Sequence, residues 1–273
     1  MSNNKEQDFN SLLNQGWQKH ESEPNAVFDS MASMLGSLEP EQTESAMTLL
    51  LHTAIGHLYA PDKLLHLLSS LPPNRANLPS SLRAQVLADY FQTKKLSDMS
   101  HLATDDQHRV FAQIANEYAA LKKTAQASQW LTMATEGVST SSVSKPLARA
   151  LAITGNNLAC QFEGLEERSI EQDQQMIKAA QLALQFWRVA GGWMQEERAE
   201  YRLAMSFIKA GRYEEARTHA QRCEAICIEN NADDFERYFA SDLLMLVHFH
   251  LAQSHKLKVG EDLREYCETS SLD

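Results

Sequence analysis

The chain has 273 residues, of which 43% are hydrophobic, with only 10 glycines, 7 prolines and a net charge of −11. A chain of this size can bury a substantial core, and so few glycines and prolines are typical of helices joined by short turns. The negative charge opposes nonspecific binding to nucleic acid or to an anionic membrane, because both would repel the protein at long range. We therefore expect partners of another class.

The N-terminal residues contain no apolar segment of the kind that marks a secretory signal. The most apolar stretch, residues 46–60, is interrupted by His52 and His57 and is too short to span a bilayer. The four cysteines show no paired CxxC spacing, so a disulfide framework is not indicated. These features predict a soluble cytoplasmic protein with reduced thiols.

Amphipathic helices are predicted from the N-terminus onward. Residues 6–37 carry apolar stripes typical of one or two helices. A helix over 41–59 is followed by Pro61, which is well placed to open another helix to residue 70. The proline-rich stretch 71–79 cannot stay helical and is the clearest break in the chain.

The pattern becomes regular after residue 104. Apolar periodicity predicts helices near 105–122, 124–137, 146–163, 170–190, 194–210, 212–229, 233–253 and 257–268. Acidic residues open several of them, where the helix dipole favours negative charge. The predicted organisation is therefore N-terminal capping helices over 1–40, short degenerate repeats over 41–104, and regular repeats with a C-terminal capping helix over 105–273.

A short motif recurs five times: an aliphatic residue, a small residue directly after it, and an aromatic three positions later. The occurrences are Ile55/Gly56/Tyr59, Leu87/Ala88/Phe91, Ile114/Ala115/Tyr118, Leu158/Ala159/Phe162 and Leu203/Ala204/Phe207. In a helix these positions share one face, and the small residue lets a neighbouring helix approach closely. Repetition at intervals of 32, 27, 44 and 45 residues predicts a stack of similar helices.

Two segments extend this pattern in identical register. Ala127, Leu131 and Ala134 follow Tyr118 at the same offsets at which Ala216, Ala220 and Cys223 follow Phe207. At these positions the chain resembles the tetratricopeptide repeat family, whose helix A carries the first motif and whose helix B carries small, large and small residues. Gly211 stands where that family places its inter-helix turn, and it can end a helix in the left-handed conformation.

The resemblance implies an all-α fold, a right-handed superhelical stack of antiparallel helix pairs. The spacing departs from the family period of 34 residues, since the C-terminal repeats here are about 45 residues long. The resemblance also implies a concave groove lined by the first helix of each pair. The groove residues expected to contact a peptide are Arg109, Asn116, Asn156, Asn157, Arg198, Tyr201, Arg202 and Lys209.

Part of this set is similar to the carboxylate clamp with which co-chaperones of the family hold an acidic C-terminal tail. Asn116, Asn157 and Arg202 match that clamp, and Arg198 is a basic substitute, but Ala112 replaces one of its lysines. Asparagine side chains can hydrogen-bond a peptide backbone, and arginines offer paired donors to a carboxylate. The alternatives are a looser groove for an extended peptide and a merely solvated face.

Other residue clusters offer weaker hypotheses. His219, Cys223 and Cys227 lie at successive i, i+4 positions and could bind zinc, although a fourth ligand is not evident and core packing is the simpler interpretation of Cys223. His52, His57 and His66 do not share one helical face, so no metal ligand is predicted among them. Sequence motifs of known active sites are absent, so we predict neither an enzyme nor a cofactor.

The sequence thus predicts a cytoplasmic, non-catalytic adaptor that binds a protein or peptide segment, with an acidic or carboxylate group in the partner. The alternatives are a metal or redox sensor built on His219, Cys223 and Cys227, and a self-assembling module that forms a homo-oligomer. On the adaptor hypothesis, Asn157→Ala and Arg202→Ala weaken partner binding and leave helicity and melting temperature nearly unchanged.

Overall fold

A computed structural model describes the backbone of residues 2–270 and the side chains of residues 8–259 and 261. This part of the chain is all-α, as predicted, and contains no strand. The helices are α1 (Ser2–Lys19), α2 (Pro24–Met34), α3 (Pro40–His52), α4 (Pro61–Ser69), α5 (Pro73–Ala76), α6 (Pro79–Thr93), α7 (Thr104–Ala120), α8 (Thr124–Thr135), α9 (Lys145–Glu163), α10 (Ile170–Ala190), α11 (Trp193–Lys209), α12 (Tyr213–Glu229) and α13 (Asp234–Ser270). None of these described helices is both long and apolar enough to cross a bilayer.

The chain divides into two compact units, Met1–Val138 and Ser139–Asp273. The first unit contains α1 to α8 and the second contains α9 to α13. The sequence pattern placed its boundaries elsewhere, after residues 40 and 104. Each unit buries its own set of leucine, alanine and aromatic side chains.

In the first unit, α6 packs against α3, α4 and α7, and α7 pairs with α8. Prolines open five of its helices, where the missing N–H of proline would have no helical partner in any case. Two short irregular elements interrupt the series, a 3₁₀ turn at Leu35–Ser37 and a π-helical turn at Thr53–His57 that continues α3. The proline-rich break retains only the single helical turn of α5.

A buried ionic network joins three helices of the first unit. Arg83 on α6, only 3% exposed, donates to Glu44 on α3 and to Asp106 on α7. Arg109 on α7 donates to the same two carboxylates, at 2.6 Å and 3.3 Å. The two arginines hold the pKa of Glu44 below its usual value, although its partial burial acts in the opposite direction. The network therefore neutralises the charge of a guanidinium that would be very costly to bury alone.

The second unit consists of long, regular helices. The pairs α9/α10 and α11/α12 pack side by side, and α11 also contacts α9 and α13. Gly155 lets α9 and α10 approach closely, since a Cβ atom there would lie 2.7 Å from the carbonyl oxygen of Ala179. Gly211 has a φ of 72° between α11 and α12, which confirms the left-handed helix end predicted from the sequence.

The repeated motif is buried at four of its five occurrences. The triplets beginning at Leu87, Ile114, Leu158 and Leu203 all lie in the core. The first occurrence differs, because Tyr59 is 68% exposed and has a φ of 52°. Ile55 lies within the π-helical turn, whose wider spacing shifts the residues that follow away from the expected face.

The predicted break near residue 255 is wrong. Helix α13 runs without interruption from Asp234 to Ser270, because residues 254–256, between the two predicted helices, include neither proline nor glycine. Its buried side is formed by Glu236, Ala240, Leu243, Val247 and Leu251, which are spaced at three or four residues and pack toward α11 and α12.

Candidate functional site

One face of the second unit is built from α9, α11 and α13. Asn156, Asn157 and Cys160 lie half-buried on α9, and Tyr201, Arg202 and Met205 lie half-buried on α11. The Asn156 side chain donates to Asn157 Oδ1 at 3.4 Å and contacts Cys160 Sγ at 3.9 Å. We call these six residues the α9/α11 face. The sequence had placed four of them in a peptide groove.

Arg202 of this face and Arg198, four residues earlier on α11, already have carboxylate partners. Arg202 Nη1 donates to Glu163 Oε2 at 2.5 Å, and Ser206 donates to the other oxygen of Glu163 at 2.8 Å. Arg198, which is 59% exposed, pairs with the buried carboxylate of Glu236 on α13. An acidic peptide that uses either arginine would therefore have to compete with an internal carboxylate.

Helix α13 extends the α9/α11 face. Burial raises the pKa of Tyr201, and the Asp242 carboxylate on α13 acts in the same direction. Burial also raises the pKa of the Cys160 thiol, and Arg202 opposes that effect only in part. Cys160 thus has the character of a packing residue and not of a reactive thiolate.

Helix α13 carries an exposed row of aromatic side chains on the side of the helix that bears Asp242. Phe235, Phe239, Asp242, Leu246 and Phe249 are spaced at four and three residues and so share one side of the helix. Phe235 is 63% exposed, Phe249 is 57% exposed, and the rings of Phe235 and Phe239 pack 4.9 Å apart. We call this set the α13 stripe. A contiguous exposed apolar patch, unlike a single exposed apolar residue, is typical of an interaction site.

The remaining predicted groove residues lie apart from this face or in the other unit. Lys209 is exposed at the end of α11, where its carbonyl oxygen accepts from Arg168 at 2.9 Å. Arg109 and Asn116 belong to the first unit, where Arg109 is part of the ionic network and Asn116 is half-buried on α7. The structure therefore divides the predicted set into two residues of one unit and six of the other.

Of the three residues in the alternative zinc hypothesis, His219 and Cys223 contact different carboxylates, and Cys227 is buried. His219 Nδ1 lies 2.6 Å from a carboxylate oxygen of Glu200, and Cys223 donates to Glu197 at 2.8 Å. Burial and the Glu197 carboxylate raise the pKa of Cys223, and burial raises that of Cys227 to about 11. Both thiols therefore favour the protonated form more strongly than a free cysteine does.

A different group of histidines converges in the first unit. One ligand nitrogen from each of His20, His52 and His57 lies within 4.8 Å of the others, and among the described side chains no other three His, Cys, Asp or Glu residues meet in this way. His66 remains outside the group and is exposed.

The π-helical turn explains why the α-helical period could not reveal this group. Residues five apart lie on different faces of an α-helix, but an i to i+5 hydrogen bond places them one turn apart. Here the Leu58 amide donates to the Thr53 carbonyl at 3.0 Å, and the Nε2 atoms of His52 and His57 are 3.2 Å apart. In the sequence, the only indication of this group was a pair of histidines five residues apart, the second of which directly follows Gly56.

Comparison with known proteins gives no match. No protein-family model, curated protein or solved structure matches the chain.

Proposed function

We propose that the chain is a non-catalytic helical scaffold that binds an apolar segment of a partner protein across the α9/α11 face and the α13 stripe. The single observation that carries this proposal is the α13 stripe, an exposed aromatic row on the same side of α13 as Asp242. Adjacent half-buried amides and a tyrosine could satisfy the backbone of a bound segment.

The proposal retains the tetratricopeptide-like interpretation for the second unit. The pairing of α9 with α10 and of α11 with α12, together with contacts of α11 to α9 and α13, supports stacked helix hairpins with their first helices on one side. In such a stack each first helix is flanked by the next. The aromatic side chains of the α13 stripe are exposed, which supports binding of an external segment there.

The internal ion pairs of Arg198 and Arg202 refine the expected partner. Because Glu236 and Glu163 occupy these guanidinium groups, aliphatic or aromatic side chains in the partner are favoured over a carboxylate as the main determinant. The proposed location is the cytoplasm, as the sequence indicated.

A random peptide library displayed on phage, panned against the full chain, tests the proposal. We expect enrichment of apolar peptides, and at least tenfold weaker binding of those peptides, measured by fluorescence anisotropy, to the double variant Phe235→Ser/Phe249→Ser. Ile228→Ser is the matched control, since Ile228 is 64% exposed on α12, outside the proposed surface. Both altered positions are largely exposed, so the helical content of the variants should not change.

Two results would overturn the proposal. One is the absence of any enriched peptide, or equal binding to both variants. The other is a dimer that forms with rising concentration in sedimentation velocity and disappears in the double variant, because the stripe would then serve self-assembly.

A further inference from the structure

The histidine group of the first unit is braced by a buried carboxylate. His52 Nδ1 lies 3.1 Å from Glu117 Oε1, and the Glu117 side chain is only 3% exposed. A carboxylate oxygen accepts, so this contact places the hydrogen of His52 on Nδ1 and directs the lone pair of Nε2 toward His57. Carboxylates that orient a ligand imidazole in this manner are the usual outer partners of histidines bound to metals.

The backbone at Gly56 leaves space for the Glu117 carboxylate. Glu117 Oε2 is buried and has no hydrogen-bond partner. A Cβ atom at Gly56 would lie 3.0 Å from Glu117 Oε2 and 3.4 Å from the His52 ring, so any larger residue would crowd both groups. Gly56 therefore allows the π-helical turn to lie directly against the His52 and Glu117 pair.

His20, the residue that directly follows α1, completes the group. Its Nδ1 lies 2.6 Å from the carbonyl oxygen of Trp17, which leaves Nε2 as the nitrogen available to a ligand. The His20 ring lies 5.2 Å from that of His52 and 4.7 Å from that of His57, and Trp17 covers the His52 ring at 5.7 Å. The turn after α1, the end of α3 and the π-helical turn thus bring three imidazole rings together.

From this geometry we infer that His20, His52 and His57 form a binding site for a divalent transition metal, Zn²⁺ in the first instance, with Glu117 as the positioning residue. Two nitrogens bound to one zinc at about 2.05 Å in a tetrahedron lie about 3.3 Å apart. The 3.2 Å between the Nε2 atoms of His52 and His57 fits that edge.

The chemistry of the donor set favours zinc over the alkaline earth ions. Imidazole nitrogens suit Zn²⁺ and its transition-metal neighbours, whereas Mg²⁺ and Ca²⁺ require oxygen ligands. Three protein ligands leave a fourth position for water or another small ligand.

Titration of the metal-free chain, without a histidine tag, tests the inference. With Zn²⁺ in competition with a chromophoric chelator, we expect one equivalent bound per chain and no competition from Mg²⁺. His57→Gln should lose at least tenfold in affinity. His66→Gln is the matched control, because His66 is an exposed histidine on the next helix and should leave affinity unchanged.

Glu117→Gln separates positioning from coordination. Glutamine keeps an oxygen acceptor for His52 but removes the negative charge, and loss of such an outer partner typically weakens metal binding 10- to 100-fold. The stoichiometry should stay at one equivalent. A purely structural role of Glu117 would change the thermal unfolding of the metal-free chain without changing the affinity of the folded protein.

The wild-type chain alone also provides a test, which remains informative if a variant fails to fold. Co²⁺ should replace Zn²⁺ and give the strong visible absorption of a four-coordinate site. Binding of less than one equivalent, weak absorption of octahedral type, or equal affinity in the His57 and His66 variants would overturn the inference.

Discussion

The two units differ in how regular their helices are. The second unit is built from helices of 17 to 21 residues joined by tight turns, with α13 longer still. The first unit contains several helices of 9 to 15 residues, a 3₁₀ turn and a π-helical turn. The regular unit presents an extended surface, and the irregular unit brings distant polar side chains to one point. Regularity therefore favours a repeated surface, and a local irregularity favours a compact site.

The largest expected effect concerns the close helix contact of the second unit. Gly155→Val should lower the free energy of unfolding by about 3 kcal/mol, because its side chain would overlap the α10 backbone near Ala179 and Ala183. Urea denaturation of the chain measures this loss. Gly164→Val, at the end of the same helix and without a close neighbour, is the control and should cost less than about 1 kcal/mol. Equal costs would show that the two helices do not approach closely.

A smaller effect is expected in the ionic network of the first unit. Asp106→Ala should cost about 2 kcal/mol, since it removes one of two carboxylates that neutralise the buried Arg83 guanidinium. Asp105→Ala is the matched control, because both residues lie in the first turn of α7 and lose the same interaction with the helix dipole. Thermal unfolding of the two variants separates the stability that comes from the ionic network from the stability that comes from the helix dipole. A similar loss of stability in both variants would contradict the proposed contribution of the network.

The smallest expected effect concerns the pH dependence of stability that comes from Glu197 in the second unit. Burial raises the pKa of Glu197, the Cys223 hydrogen bond lowers it, Glu236 raises it further, and Arg198 lowers it. Because the folded-state pKa lies above the unfolded value, the folded state binds more protons, and Glu197 costs stability as the pH rises above about 4.5.

Glu197→Gln removes this titration. The stability of the wild-type chain should therefore fall relative to the variant between pH 4.5 and pH 7, as measured by denaturant unfolding at several pH values. Glu214→Gln, at an exposed position of α12, serves as the control for a glutamate outside the core. A constant difference between wild type and Glu197→Gln across this range would show that the buried carboxylate does not titrate as described.

Much of the fold could be predicted from the sequence, because the helical period of the apolar residues determines which side of each helix is buried. Leu158, Ala159 and Phe162, and the equivalent residues from Leu203, were predicted to lie on one packing face and are buried. Gly211 was predicted to end a helix in the left-handed conformation and does so. These features depend only on local propensity and on a constant period of 3.6 residues.

The sites were harder to predict from the sequence, because they depend on side-chain partners that are far away along the chain. Nothing adjacent to Arg202 identifies Glu163 as its partner 39 residues earlier, and nothing near His52 identifies Glu117. The π-helical turn adds a second difficulty, since one extra residue per turn rotates Tyr59 out of the core and brings His57 to His52. The peptide-contacting roles of Asn116, Asn157 and Lys209 remain predictions.

The most direct test of the contrast between the units is a crystal structure of the chain grown with one equivalent of Zn²⁺, with diffraction data collected on both sides of the zinc absorption edge. We predict one anomalous peak in the first unit, about 2.0–2.1 Å from nitrogens of His20, His52 and His57. Absence of a peak there, or a peak at His219, Cys223 and Cys227 in the second unit, would contradict the account.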